Sequence, residues 1–242
     1  MPHTAAPLAR QIELDGFAIL RGVFDSAQVD VITTELSAAL SASAAAIRGK
    51  SGSLHAARNV LTAWPAVATA WQVPPLVEAL AEVLGGDYGL VRVLYFDKPP
   101  GQSWALPWHK DMTIAVKDNR RPSRHFGKPT RKAGVPHVEA PEALLERMLT
   151  ARVQLDTVTD ENGPLKVLPG SHRFGKSQGD DAGAVPQAIL VQRGDVLLMR
   201  PLLVHASGKS LVPTKRHRRV LHLEFASVRQ LPDGFTWHDF LR

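Results

Sequence analysis

Trp104-Ala-Leu-Pro-Trp-His-Lys-Asp-Met-Thr-Ile-Ala-Val116 sets apolar residues on both sides of a polar centre, His109-Lys110-Asp111. As part of a strand, this stretch sends the His109 and Asp111 side chains to one face, because strand side chains alternate with a period of two. An imidazole nitrogen and a carboxylate oxygen then reach one metal ion, while Lys110 points the other way. His-x-Asp by itself is commonplace, and its ordinary meaning is a surface histidine beside an aspartate. The apolar flanks argue otherwise, since an imidazole and a carboxylate buried there need a partner and a metal supplies one.

Further along, Gly194-Asp-Val-Leu-Leu-Met-Arg-Pro-Leu-Leu-Val204 reads as a turn and then a strand, with His205 at the strand end. Alone, His205 reads equally well as a core histidine satisfied by backbone. Together with His109 and Asp111 it completes a two-histidine, one-carboxylate facial triad. Such a triad leaves open positions on Fe(II) for a bidentate co-substrate and O2. Downstream, Lys215-Arg216-His217-Arg218-Arg219 leads into the apolar strand Val220-Leu-His-Leu-Glu-Phe225. A basic residue entering such a strand can grip a carboxylate through a bidentate pair, although a solvated basic turn has the same composition.

Around these segments the chain changes character near residue 88. Before it, Phe17–Leu20 looks like a short strand. Asp25 and Gln28 look like a capping box opening a helix whose apolar positions are Val29, Ile32, Leu36 and Leu40. Residues 41–57 are rich in Ala, Ser and Gly and are ambiguous. Pro74-Pro75 opens a second helix, with Leu76, Leu80 and Leu84 on one side and Gly85-Gly86 as its stop. After it come strand candidates: Leu90–Phe96, part of Trp108–Val116, Ala151–Asp156, Leu165–Leu168, Ile189–Gln192, Val196–Arg200 and Val220–Phe225. A short helix is expected over Glu142–Met148, and Asn162-Gly163 is a strong turn signal between two strands. Short strands after a helical start predict a mainly β fold with flanking α: a β-sandwich or jelly-roll barrel buttressed by N-terminal helices. One domain over 1–242 is expected, with helical support over 1–87, a jelly-roll core over 88–228 and a C-terminal tail over 229–242.

Composition narrows the chemistry. The chain has 242 residues and no cysteine, which excludes disulfide frameworks, thiolate metal sites, iron–sulfur clusters and cysteine nucleophiles. No apolar run approaches the ~20 residues that span a bilayer. The N-terminus lacks a basic start followed by an apolar stretch, so a cytoplasmic location is the default. The net charge is +6, and much of the excess sits in Lys117, Arg120, Arg121, Arg124, Lys128, Arg131 and Lys132. This stretch, within 117–137, reads as a basic loop or lid. It is a solvated run, a flap that steers an anionic substrate, or, ranked last for want of aromatic interleaving and of any accompanying motif, a nucleic-acid contact. No motif specifies an oligomeric state.

The chain resembles the phytanoyl-CoA dioxygenase family of Fe(II)/2-oxoglutarate oxygenases. The resemblance rests on Phe96-Asp-Lys-Pro-Pro-Gly101, Leu106-Pro-Trp-His-Lys-Asp111, Asn162-Gly-Pro-Leu-Lys-Val-Leu-Pro-Gly-Ser-His172, Gly194-Asp-Val-Leu-Leu-Met199, His205-Ala-Ser-Gly208 and Arg218-Arg-Val-Leu-His-Leu-Glu-Phe225, in the family's order. It implies a double-stranded β-helix (jelly-roll, cupin-like) with His109, Asp111 and His205 on iron. It also implies one arginine for 2-oxoglutarate. The usual spacing points to Arg216, while the register of the following strand favours Arg218. Gln154 is a further candidate for the co-substrate, against a plain structural role, and Arg58, beside Asn59, a candidate for substrate or co-substrate. Ser171 and His172 are read as closing a barrel turn and stay outside the site. The implied activity consumes 2-oxoglutarate and O2, releases succinate and CO2, and hydroxylates an unactivated C–H bond of a small molecule. The carboxylate of Asp111 favours hydroxylation over halogenation, because related halogenases have a small residue there. Two rivals are a non-oxidative jelly-roll metalloenzyme, isomerase-like, and a basic nucleic-acid-binding module. A structural protein with a dead site is the third, disfavoured because all three ligand residues are present.

Overall fold

The computed structural model describes residues 7–242 apart from 42, 44–45, 50–51, 102–103, 178–184 and 212–213. The first six residues and part of the ambiguous 41–57 stretch thus lie outside the described residues. The helical start follows its sequence signals. Helix α1 (Leu8–Asp15) ends at Gly16, and β1 (Phe17–Leu20) comes next. Helix α2 (Ser26–Ser41) opens on the expected reciprocal cap: Asp25 N donates to Gln28 Oε1 at 2.9 Å and Gln28 N donates to Asp25 Oδ1 at 2.8 Å. Within 41–57, β2 (Ala46–Arg48) and β3 (Leu54–Ala57) form an antiparallel pair. Helices α3 (Val60–Ala63) and α4 (Val67–Ala70) lead to α5 (Pro74–Leu84), opened by its proline pair and ended at Gly85.

The strand-rich part begins with β4 (Gly89–Lys98), β5 (Leu106–His109) and β6 (Thr113–Ala115). Then come β7 (Gly127–Lys132), β8 (Val135–Glu139), α6 (Glu142–Leu145) and β9 (Met148–Gln154). The set closes with β10 (Leu165–Val167), β11 (Gln187–Ile189), β12 (Val196–Met199), β13 (His205–Ser207) and β14 (Arg218–Ala226). A seven-stranded sheet runs β1-β12-β9-β14-β4-β3-β2, a four-stranded sheet β11-β10-β13-β5, and a three-stranded sheet β6-β8-β7. The two larger sheets face each other across a cavity to which both contribute residues, in the double-stranded β-helix arrangement.

Strand periodicity decides what each face of the large sheet does. Leu221, Leu223 and Phe225 of β14 pack with Ile12, Val29, Leu36 and Leu80 of the helices in one apolar core. Each such side chain contributes roughly 1.5–3 kcal/mol on burial. The alternate residues Arg218, His222 and Glu224 face the cavity.

Four expectations need correction. First, β5 stops at His109, so Asp111 is not on the strand that carries His109. Second, the 117–137 stretch is not simply a loop, because β7 and β8 form a hairpin around Ala133-Gly134. Both turn residues have positive φ, 47° and 81°, as a two-residue hairpin turn requires. Ala133 gave no sign of this, since only Gly, Asn or Asp advertise such a turn. Third, Asn162-Gly163 does not join two paired strands, because β9 and β10 belong to different sheets. Asn162 Nδ2 instead donates to Thr157 O (2.8 Å) and His217 O (3.2 Å), holding a crossing between the sheets. Fourth, α6 ends at Leu145, and Met148 begins β9. Among the described residues no helix is long and apolar enough to cross a membrane.

Candidate metal centre and co-substrate pocket

His205 on β13 stands directly opposite His109 on β5, a cross-strand pair whose ring centroids are 4.2 Å apart. Asp111 reaches the same point by another route. Its backbone N–H donates to Pro201 O at 2.9 Å, which seats the residue against the segment leading into β13. Asp111 Oδ1 then lies 3.8 Å from His109 Nε2 and Oδ2 lies 3.6 Å from His205 Nε2. Ligand atoms from all three residues fall within 4.8 Å of one another. Lys110 turns away as expected, its Nζ donating to Ser171 O at 3.0 Å and Gly175 O at 2.6 Å. The burial inferred from the apolar flanks fails for His109 and Asp111, whose side chains are 30% and 36% exposed because both line the cavity. The His205 side chain is 3% exposed.

Hydrogen bonding prepares this donor set for a metal. His109 Nδ1 lies 2.8 Å from Pro107 O, and His205 Nδ1 lies 2.9 Å from Leu203 O. A carbonyl only accepts, so each Nδ1 carries the proton and each Nε2 presents its lone pair to the shared point. Burial pushes the His205 imidazole down to about 4, against the pull of Asp111, so it stays neutral as a ligand must. Burial by itself would raise the Asp111 carboxyl, but His205, His222 and His109 together hold it below the ordinary range. Two imidazoles and one carboxylate, with separations suited to ligand bonds of about 2 Å, are a donor set for non-haem Fe(II).

The cavity of about 560 Å³ continues to both sides of this centre. On one side it is lined by Arg218 and Arg152, 3% and 6% exposed, with the fully buried Lys98 behind the lining. Arg218 Nε is buried without a hydrogen-bond partner, an arrangement that calls for an acceptor from a ligand. Burial, then Arg152, lowers the Arg218 guanidinium to about 9. Burial, then Arg218 and Arg152, lowers the Lys98 ammonium to about 7. Lys98 Nζ donates to Ser207 Oγ at 3.0 Å and to Gly208 O, and sits 5.0 Å from the centre of a Trp104 ring. Three buried cations beside a metal centre fit a dicarboxylate with a chelating end.

Arg152 Nη1 also donates to His222 Nδ1 at 3.0 Å. A guanidinium cannot accept, so the His222 proton sits on Nε2, 3.4 Å from Glu224 Oε1. On the far side of the cavity lie Arg58, Arg92, Lys132 and Glu224.

Of the other candidates, Arg216 is exposed and lies 3.8 Å from Glu161. Gln154 is buried, donates to Arg152 O at 3.0 Å, and does not line the main cavity. Ser171 Oγ accepts from Val204 N at 2.9 Å and His172 Nε2 lies 3.1 Å from Glu13 O, away from the cavity. Of the basic stretch, Lys128 pairs with Glu139 at 2.7 Å and Arg120 with Asp118 at 2.8 Å, and only Lys132 lines the cavity. Lys98, Arg92, Arg152, His222 and Glu224 escaped the sequence reading. Their signal was present: charged or ionisable residues set within otherwise apolar strands.

A family model described as phytanoyl-CoA dioxygenase matches residues 12–218. The chain is 28% identical over 221 residues to dioxygenase aneA of Aspergillus aculeatus, covering 85% of this chain and 67% of that one. It is 29% identical over 104 residues to L-proline trans-4-hydroxylase of Streptomyces griseoviridis, covering 43% of this chain and 31% of that one. The chain therefore matches less than a third of the second relative's length. The crystal structure of EctD from S. alaskensis with 2-oxoglutarate and 5-hydroxyectoine superposes with a TM-score of 0.68 at 18% identity, covering 90% of this chain and 74% of that one. At that identity the likeness is one of fold.

Proposed function

Because the chain belongs to the phytanoyl-CoA dioxygenase family of iron(II)- and 2-oxoglutarate-dependent oxygenases, we propose that His109, Asp111 and His205 hold its iron and that the protein hydroxylates a small molecule. The observation that carries this reading is the pair of Nδ1–H groups tied to backbone carbonyls, which leaves two Nε2 lone pairs and one carboxylate converging on one point. Arg218 binds the distal carboxylate of 2-oxoglutarate, with Lys98 and Arg152 as neighbouring positive charges; Gln154 donates to the backbone carbonyl of Arg152 and stays outside the main cavity. With 2-oxoglutarate and O2, iron supplies the oxidising power: the co-substrate leaves as succinate and CO2, and a C–H bond of the substrate becomes C–OH. The protein's part is positional. The His205 imidazole stays neutral, Asp111 stays ionised, and the cation-lined end keeps 2-oxoglutarate in one orientation.

The substrate we propose carries negative charge, supported by the excess of cations over carboxylates in the far end of the cavity. Nucleic acid is not its partner in this reading, since Lys128 and Arg120 are already paired and Lys132 turns inward. A cytoplasmic setting suits a chain with no cysteine, which makes no use of an oxidising compartment.

Anaerobic titration of the metal-free protein with Fe(II) and 2-oxoglutarate tests the reading. The visible charge-transfer band of the chelate should appear in the wild type and be lost in His109→Ala and His205→Ala. Iron binding without that band in the wild type would favour the non-oxidative metalloenzyme.

A further inference from the structure

The far end of the cavity holds charges that the iron and 2-oxoglutarate do not use. Arg92 and Glu224 face each other across β4 and β14, Nη1 to Oε1 at 3.4 Å, with side chains 11% and 10% exposed. Lys132 ends β7 and donates from Nζ to Thr113 Oγ1 at 2.7 Å. Arg58, just after β3, has no hydrogen bond or ion pair of its own among the described residues, yet it lines the cavity half-buried. Glu224 Oε1 lies 3.4 Å from both Arg92 Nη1 and His222 Nε2, and neither Arg58 nor Lys132 has an ion pair of its own among the described residues.

This is a costly arrangement without a ligand. Burial, then Arg92, lowers the Arg58 guanidinium; burial, then Arg92 and Arg58, lowers the Lys132 ammonium. Both groups are losing water while facing like charge. They are nevertheless held together, because Asn59 Nδ2 donates to Ala133 O at 2.8 Å and ties the segment after β3 to the β7–β8 turn. Apolar wall lies beside them in Leu94, Leu106 and Met148.

We infer that Arg58 and Lys132 form a carboxylate clamp that selects a small aliphatic carboxylic acid as substrate, which deepens the oxygenase reading above and rests on it. The guanidinium fork of Arg58 takes the carboxylate oxygens, Lys132 and Thr113 close the other side, and the hydrocarbon body extends along the apolar wall toward the metal centre. A phosphate is disfavoured: the buried carboxylate of Glu224 lies alongside and opposes a second negative charge.

The test titrates the anaerobic Fe(II) protein, saturated with 2-oxoglutarate, with hexanoate, hexanamide and hexyl phosphate. Tryptophan fluorescence reports binding, since Trp104 lines the cavity, and the chelate band is read in the same sample. Hexanoate should bind roughly 10- to 100-fold more tightly than hexanamide. Arg58→Met and Lys132→Met should each remove most of that preference while leaving hexanamide unchanged, and Arg58→Lys should restore part of it. Equal affinity for acid and amide, tighter binding of the phosphate, or a preference that survives both Met variants overturns the clamp. A missing chelate band with the acid preference intact and lost in the variants overturns the oxygenase reading and leaves the clamp standing.

Discussion

At one end of the cavity Arg218, Arg152 and Lys98 rise from the central strands β14, β9 and β4, buried and locked by neighbours on both sides. At the other end Arg58 follows a short strand and Lys132 ends a hairpin, both half-buried and joined by one hydrogen bond between Asn59 and Ala133. Both ends are positively charged, yet their construction differs. A sheet interior defines side-chain direction through register, so it suits a co-substrate that never changes. Loops and hairpin turns tolerate substitution, so they suit the part that must match one substrate.

The largest expected effect tests the rigid end. Arg218→Met should raise the 2-oxoglutarate concentration needed for half-formation of the chelate by about 100-fold, from the loss of charge-assisted hydrogen bonds. Arg216→Met, on the exposed turn, should change it less than about twofold. Equal effects of the two would erase the distinction between buried strand and exposed loop.

A smaller effect tests the adaptable end. Asn59→Gly keeps a residue suited to the positive φ of 57° while removing the link to Ala133. Carboxylate affinity should fall about fivefold, in line with one hydrogen bond of about 1 kcal/mol, and 2-oxoglutarate affinity should stay the same. A matching fall in 2-oxoglutarate affinity would mean that the hairpin braces the whole cavity.

The smallest effect sharpens the comparison from outside the cavity. Asp156 accepts from Arg219 N, Nε and Nη2 at 2.9, 2.8 and 2.7 Å at the start of β14. Burial by itself would raise the Asp156 carboxyl, but these hydrogen bonds hold it below the ordinary range. Its stabilisation is therefore present above the unfolded carboxylate pKa of about 4 and is lost as pH falls through the lower folded value. Asp156→Asn should lower stability by about 1 kcal/mol at pH 7, or Tm by roughly 2–4 °C, with the difference from wild type shrinking toward zero in acid. Neither ligand affinity should move. A loss of 2-oxoglutarate affinity in this variant would show that the outer face of β14 also sets the aim of Arg218.

The candidate metal ligands were readable because their chemistry is local: a histidine, an aspartate two residues on, and a later histidine at a strand end. The route that joins them was not. His109 and Asp111 come together through a strand end and a backbone bond to Pro201, not through one strand face. The reading that two-apart residues share a face named a pair whose ligand atoms the structure does bring together, for a reason it does not bear out. Arg58 stood out only as a charge in a helical section, and its position at the cavity depends on β3 joining the sheet beside β4.

By itself the sequence determined the mainly β class, the helical start, the capped helix α2 and the residues able to bind a metal. Periodicity, capping and residue chemistry act over a few positions, and one chain displays them directly. Tertiary structure alone decided that β9, β14 and β4 bring Arg152, His222, Glu224 and Arg92 to one cavity wall. It likewise decided that Lys132 turns inward while its neighbours Lys128 and Arg131 remain exposed. Such choices depend on strand order and register between segments far apart in the chain, where a shift of one residue sends every side chain to the opposite face.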